Sequence, residues 1–293
     1  MSTTVAIPGV QILRHVIDGG CAEVYEGEDQ ETGRKVAVKI LHPRHRGNKT
    51  ERKRLLDEGA LGMQVRHHLH LVQMLRVGSI GELAYIVEEW IPGASLREMV
   101  RAKKLLAELH LLKLASAIGR ALKHLHDGKI VHKDIKPDNV LWPNPDGIKV
   151  IDLGFAEKIG GFGLTSLFGR TLDGSPAYLA PELIRTKKPS FQTDIYALGC
   201  TLYEAATGHV PYPGSSDQEL LAKHVDMKLM PEAISATNKN ISMHTQKLIW
   251  IALEKNPENR YPTADQFLME LQRSPLLGGA GGTNTRLPVA WNR

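Results

Sequence analysis

Asp134, Lys136, Asn139 and Asp152 are residues of this chain whose types and spacing could do chemistry together. They lie in His132-Lys133-Asp134-Ile135-Lys136-Pro137-Asp138-Asn139 and, shortly after, Asp152-Leu153-Gly154. Asp134 offers a carboxylate that can accept a proton from a hydroxyl, and Lys136 an ammonium that can neutralise charge on a moving group. The amide oxygen of Asn139 and the carboxylate of Asp152 are hard oxygen ligands suited to Mg²⁺. Together these groups suit phosphoryl transfer from a metal-bound nucleoside triphosphate to a hydroxyl.

Such a set must be held by the elements around it. Val140-Leu141-Trp142 and Ile148-Lys149-Val150-Ile151 predict two short strands, and Pro143-Asn144-Pro145-Asp146-Gly147 supplies the turn between them. That hairpin returns Asn139 and Asp152 to one edge. Upstream, Val36-Ala37-Val38-Lys39-Ile40 alternates as a strand, with Val36, Val38 and Ile40 on one face and Ala37 and Lys39 on the other. A lone strand lysine is ordinarily a snorkelling surface group, and the downstream motifs reverse that reading for Lys39. A helix predicted from about Glu51 to Arg66 carries Glu58, a carboxylate for Lys39. Leu61, Gly62 and Val65 share the Glu58 face, with Leu56, Ala60 and Met63 opposite.

In this order, over roughly residues 10 to 272, these segments resemble the eukaryotic-type (Hanks-type) protein serine/threonine kinases that are also widespread in bacteria. Val36-Ala37-Val38-Lys39 resembles the strand of the phosphate-binding lysine, and Ala180-Pro181-Glu182 the close of the activation segment. Asp194-Ile195-Tyr196-Ala197-Leu198-Gly199 resembles the start of a large buried helix, and Arg260 stands where the family pairs an arginine with Glu182. The resemblance implies an α+β two-lobed fold over residues 10–274, with a β-rich lobe at about 10–91 and a helical lobe at about 92–274. It implies ATP with Mg²⁺, or Mn²⁺ in its place, and Ser/Thr hydroxyls of protein substrates as acceptors. Lys136 and Ser175 match the Ser/Thr pattern and not that of tyrosine kinases; small-molecule kinases of related fold lack the Ala-Pro-Glu segment and its arginine.

The implied roles follow residue by residue. Lys39 holds the α- and β-phosphates and is positioned by Glu58; Asp134 orients the hydroxyl and accepts its proton; Lys136 offsets γ-phosphate charge; Asn139 and Asp152 hold the metal. Val24, Ala37 and Leu141 enclose the adenine. In the hinge Tyr85–Gly93, backbone groups of Glu89 and Ile91 meet its edge, so side-chain identity should matter little there. Counting from Val65-Arg66-His67 puts Glu58 at the lysine-pairing position, whereas counting back from Leu71-Val72 puts Gly59 there. Glu58 is preferred, with an extra residue in His67-His68-Leu69-His70, because glycine cannot bind a lysine. That choice leaves Gly62 where the family packs a bulky side chain.

The chain departs from the family most at the phosphate-covering loop. The pattern G-x-G-x-x-G-x-V maps onto Ile17-Asp18-Gly19-Gly20-Cys21-Ala22-Glu23-Val24, with Gly19 in place, Gly20 beside it, and a stiffer Ile17 and a mild Ala22 at the other glycine positions. Cys21 at the tip is read as an incidental small side chain whose exposure keeps a redox role open. Glu88 falls at the gatekeeper, and Lys133 replaces an arginine that the family uses as a bidentate phosphate clamp. Ile17, Ala22, Glu88 and Lys133 prompt a second reading, a pseudokinase acting as a nucleotide- or partner-binding scaffold. Thr165, Ser166 and Thr171, beside Arg170, are candidate autophosphorylation sites.

The bulk numbers agree with a soluble enzyme: 293 residues, 42% hydrophobic and 24% charged, with no apolar run of membrane-spanning length and no signal-peptide pattern at the start. A cytoplasmic location is expected, and the two cysteines, Cys21 and Cys200, are expected to be free thiols. Net charge is +5, and the run Arg44, Arg46, Lys49, Arg52, Lys53, Arg54 invites a nucleic-acid reading. It holds no aromatic residue to stack a base, so nucleic acid is disfavoured against a solvated face at 44–54 that meets an acidic partner. The Gly-rich stretch within 275–293 has the composition of a flexible tail.

Overall fold

The computed structural model describes residues 6–102, 105–144, 146–160 and 174–277. Thr165, Ser166, Arg170 and Thr171 lie outside these residues, as does the tail from residue 278 onward. The chain opens with a five-stranded antiparallel sheet built from β1 (Val10–Asp18), β2 (Ala22–Asp29), β3 (Lys35–Leu41), β4 (Met74–Ile80) and β5 (Leu83–Glu89), in the order β1-β2-β3-β5-β4. The alternation in β3 has its expected consequence. Val36, Val38 and Ile40 are buried with Ile7, Val10, Leu83 and Val87, while Ala37 and Lys39 are half-buried on the opposite face.

Helix α1 (Lys49–Gln64) crosses between β3 and β4, starting and ending two residues earlier than the predicted helix. Asn48 sets the start, because its side chain accepts from the amides of Thr50 and Glu51, and extended backbone at Val65 sets the end. The buried face is Leu55, Glu58, Gly59 and Gly62, the i, i+3, i+4, i+7 set of one helical stripe. Leu61 and Val65, expected on that stripe, are only half-buried at its margin, and Leu56, expected opposite, is half-buried too. The two glycines let the helix approach the sheet. A Cβ at Gly59 would come within 2.5 Å of Val77, and one at Gly62 within 2.3 Å of Met74, so Met74 fills the volume that a larger residue at position 62 would occupy.

Beyond β5 the chain is mainly helical. After β6 (Ala94–Ser95) come α2 (Leu96–Arg101) and α3 (Glu108–Asp127), then β7 (Ile130–Val131), β8 (Val140–Trp142), β9 (Lys149–Val150) and β10 (Glu157–Lys158). Then follow α4 (Pro181–Thr186), α5 (Phe191–Thr207), α6 (Asp217–Val225), α7 (Ile234–Thr237), α8 (Met243–Ala252) and α9 (Ala264–Gln272). A β-sheet lobe followed by a helical lobe makes this an α+β two-lobed fold. Helix α5 is its centre. It is buried from Thr193 to Thr207, most of it apolar or small on every side, with its two acids Asp194 and Glu204 held by partners. The loop after α1 docks onto the helical lobe, where the Val72 amide donates to the Val150 carbonyl and the Val150 amide to the His70 carbonyl, both at 2.9 Å.

Candidate active site

The loop from His132 to Asn139 is shaped from below by Asp194, in the first turn of α5. Fully buried, Asp194 accepts hydrogen bonds from the amides of His132 and Lys133, each at 2.9 Å, and its Oδ2 lies 2.9 Å from His126 Nε2. Those bonds hold Lys133 in the left-handed region, at φ +67°, which an L-residue avoids without such support. The resulting turn presents Asp134. Its Oδ1 accepts from the Ser175 amide at 2.9 Å, and its Oδ2 lies 2.7 Å from Lys136 Nζ and 3.0 Å from Asn139 Nδ2. Lys136 Nζ also donates to Ser175 Oγ at 2.7 Å, so one ammonium links the carboxylate to the hydroxyl beside it.

Strands β8 and β9 pair as the predicted hairpin, with Val140 opposite Val150 and Leu141 opposite Lys149; β9 lacks Ile148 and Ile151 of the expected strand. Just past the ladder the Ile151 amide donates to the Asn139 carbonyl at 2.9 Å, which sets Asp152 beside Asn139. Both side-chain bonds of Asn139 use its amide nitrogen, to Asp134 O and Oδ2, leaving the carbonyl oxygen as the ligand atom. A neutral oxygen and an ionised carboxylate form a donor set that fits a hard divalent cation.

Lys39 connects the lobes. Its Nζ lies 2.7 Å from Glu58 Oε1 and 2.9 Å from Asp152 Oδ1, so Glu58, not Gly59, meets the lysine. Space is tight around this pair: a Cβ at Gly154 would lie 3.0 Å from Asp152 Oδ1 and 3.1 Å from Glu58 Oε2. Burial opposes ionisation at each of these groups. At Asp152 the Lys39 ammonium and the Gly154 amide outweigh it and hold the carboxyl well below the usual range. At Lys39 the charges of Asp152 and Glu58 outweigh it and keep the ammonium protonated. Burial pushes Glu58 upward, with Asp152 and Glu88 adding to what Lys39 offsets. Lys39 therefore bonds two carboxylates, with the charge of a third, Glu88, nearby.

The roof of the cleft carries Ile17 opposite Val24, and Val24 opposite Lys39, along successive ladders. Ile17 is 59% exposed, Val24, Ala37 and Leu141 are half-buried, and Ile91 is buried. Gly19 has a steric reason to be glycine, since a Cβ there would meet the Ala22 carbonyl oxygen at 2.7 Å, whereas a Cβ at Gly20 meets nothing. Arg44 reaches back to the Gly20 carbonyl at 2.6 Å, and Arg54 donates to the Gly154 carbonyl at 3.3 Å while stacking over Phe155. Part of the basic run thus braces the cleft instead of forming only a solvated face. Cys21 is half-buried and donates to Glu51 at 3.1 Å; burial and that bond push its thiol up to about 12, so it lacks the thiolate a redox role needs. Cys21 and Cys200 are both free.

Two expectations need correcting or completing. The Glu89 side chain is not interchangeable: it accepts from the Gln73 amide at 2.8 Å and from Lys149 Nζ at 2.7 Å, tying the hinge to β9. Motif reading also passed over Arg97, which donates to Asp138 at 3.1 Å and to Tyr178 Oη at 2.5 Å and pairs with Glu204, itself bonded to Tyr178. That cluster secures the segment before Glu182 against α2 and α5. Its signal in sequence is weak, because the partners are scattered. Asp194 had a stronger signal, an acid in the first turn ahead of the apolar and small run of residues 195–200.

A sheet lobe carrying a lysine–glutamate pair, set over a helical lobe carrying Asp134, Asn139 and Asp152, is the arrangement of a protein kinase domain. The profile of that domain matches residues 10–271, and the chain belongs to the protein kinase family. It is 34% identical over 264 residues to the serine/threonine-protein kinase PrkC of Bacillus subtilis, covering 89% of this chain and 40% of that protein. It is 31% identical over 259 residues to the serine/threonine-protein kinase PknB of Mycobacterium tuberculosis, covering 87% of this chain and 41% of that protein. The chain thus spans about two-fifths of the length of these relatives. The family implies ATP and a divalent metal.

Proposed function

We propose that this chain is the catalytic domain of an ATP-dependent protein serine/threonine kinase, comprising residues 10–274 with lobes at 10–91 and 92–274 and a tail at 275–293. The observation that carries the proposal is that both halves of the chemistry are assembled together. Lys39 is within 2.9 Å of Glu58 and Asp152, and Asp134 is within 3.0 Å of Lys136, Asn139 and the Ser175 amide.

Asp134 orients the acceptor hydroxyl and takes its proton, Lys136 offsets charge on the moving phosphoryl group, and Lys39, positioned by Glu58, holds the remaining phosphates. The nucleotide lies with its base between Val24, Ala37 and Leu141 and along the backbone of Glu89 and Ile91, and its phosphates under the loop of Ile17, Gly19 and Gly20. Mg²⁺, or Mn²⁺ in its place, would be held by Asn139 and Asp152 and would neutralise phosphate charge. Substrates are proteins bearing Ser or Thr, the modification serves signalling, and the domain works in the cytoplasm; among the described residues no helix is long and apolar enough to cross a membrane. The exposed part of segment 44–54 suits an acidic partner better than nucleic acid. Because Lys39, Glu58, Asp152, Asp134 and Lys136 each have a charged partner in reach, turnover is favoured over a scaffold role.

The test is incorporation of label from ATP in the presence of Mg²⁺ or Mn²⁺ into the chain and a generic protein acceptor. Asp134→Ala and Asp152→Asn serve as controls. Either substitution should lower the rate by about 10²–10⁴ or more, with the unfolding transition of Asp152→Asn close to that of the parent. Near-parent rates in both variants would end the proposal.

A further inference from the structure

Glu88 puts a carboxylate where the cleft meets the base. In the β3–β5 ladder Glu88 is opposite Ala37, and Ile86 opposite Lys39. Residues opposite one another in an antiparallel ladder point to the same face, so Glu88 shares the cleft face with Ala37 and Lys39. Its neighbour Glu89 ends β5, so the hinge expected over residues 85–93 is still strand as far as Glu89 and opens only beyond it. The Glu88 carboxylate is half-buried, it feels the charges of Lys39, Asp152, Glu58 and Glu89, and it makes no hydrogen bond among the described residues. Lys39 does not release it from that state, being engaged by Glu58 at 2.7 Å and Asp152 at 2.9 Å.

Burial pushes the Glu88 carboxyl up to about 7, so above that pH it is ionised, accepts hydrogen bonds and cannot donate. In a partly desolvated position it favours a ligand that brings a donor, and it is costly against a ligand that brings another acceptor. The exocyclic amine of a 6-aminopurine carries two N–H groups, so one can serve a hinge carbonyl while the second remains for a side chain. A 6-oxopurine presents an acceptor oxygen at the same place. We propose that Glu88 selects the base, accepting a hydrogen bond from the 6-amino group of adenine and rejecting the 6-oxo group of guanine and hypoxanthine. This rests on reading the cleft as the nucleotide site.

Calorimetric titration at about pH 8, where Glu88 is ionised, of the parent, Glu88→Gln and Glu88→Met with ADP and with inosine diphosphate, each with Mg²⁺, tests it. The glutamine keeps the size and adds a donor that can meet a 6-oxo group; the methionine keeps the volume and removes the acceptor. Backbone recognition of the base is common to all three proteins and cancels when their ADP-to-inosine diphosphate affinity ratios are compared. The parent should favour ADP, and both variants should narrow that preference by about tenfold or more. If all three proteins bind ADP with one unchanged ratio, Glu88 does not select the base, while the cleft reading survives. A parent that binds neither diphosphate overturns both.

Discussion

Arg260 and Glu182 meet as a two-pronged ion pair, with Nη1 to Oε1 and Nη2 to Oε2 both at 2.8 Å. The guanidinium side chain is fully buried and also donates to the carbonyls of Gln192, Glu254 and Lys255, so it joins α4, the start of α5 and the loop after α8. Removing it strands the Glu182 carboxylate, which is only 15% exposed. Arg260→Ala should therefore destabilise by about 3–5 kcal/mol, and Arg260→Lys by a large part of that because an ammonium lacks the planar fork. Denaturant midpoints check this, and a loss under 1 kcal/mol for the alanine variant would contradict it.

The contact of Gly62 with Met74 predicts a compensating pair. Gly62→Ala should cost about 1–3 kcal/mol, because its Cβ would overlap a side chain that is 5% exposed and packed. Against a Met74→Ala background the same change should cost much less, since the volume is then free. Equal costs in the two backgrounds of a double-mutant cycle would show that α1 shifts to relieve the clash.

Lys133 has a carboxylate beside it, with Nζ 3.1 Å from Glu157 Oε2, and β10 holds Glu157 opposite Val131. An internal negative charge thus sits near the lysine that stands in for the family's phosphate-clamping arginine. Changing Thr165, Ser166 and Thr171 to alanine together should leave a substantial part of the kinase rate. The comparison sets the triple variant against the parent both phosphorylated and phosphatase-treated, each state checked by mass spectrometry. A phosphorylated parent faster than the triple variant by several hundredfold would mean that Lys133 does clamp a phosphate.

His224 makes the fold acid-sensitive. It is fully buried, bonds Tyr196 Oη through Nδ1 at 2.7 Å, and packs edge-on to Tyr196 and Tyr212. Burial lowers its pKa to about 4, and the nearby Lys255 charge adds to the shift. The unfolded chain binds this proton near pH 6.5, so the contribution is complete above that pH and is lost as pH falls toward 4. Between pH 7.5 and 5 the loss from this group should be about 2 kcal/mol. His224→Phe should show a correspondingly smaller drop in unfolding free energy over that interval, and parallel pH curves would rule the assignment out.

Residues close in the chain were legible because local geometry alone places them. His132 to Asn139 is one tight loop, and the hairpin from Val140 to Val150 returns Asp152 beside Asn139 whatever surrounds it. The strand phase of Lys39 was equally legible, since alternation needs no partner. Helix α1 was legible as a helix but not in its register. Glu58 and Gly59 differ by one step of rotation, and their order was resolved by Gly59 packing on Val77 and Gly62 on Met74. The supports of the site escaped for the same reason. Glu89 with Lys149, Arg97 with Glu204, and Asp194 with the amides of His132 and Lys133 are 60, 107, and 62 and 61 residues apart. A charged side chain has many candidate partners in sequence, and only tertiary packing, for Arg97 and Asp194 within the helical lobe, decides which of them it meets.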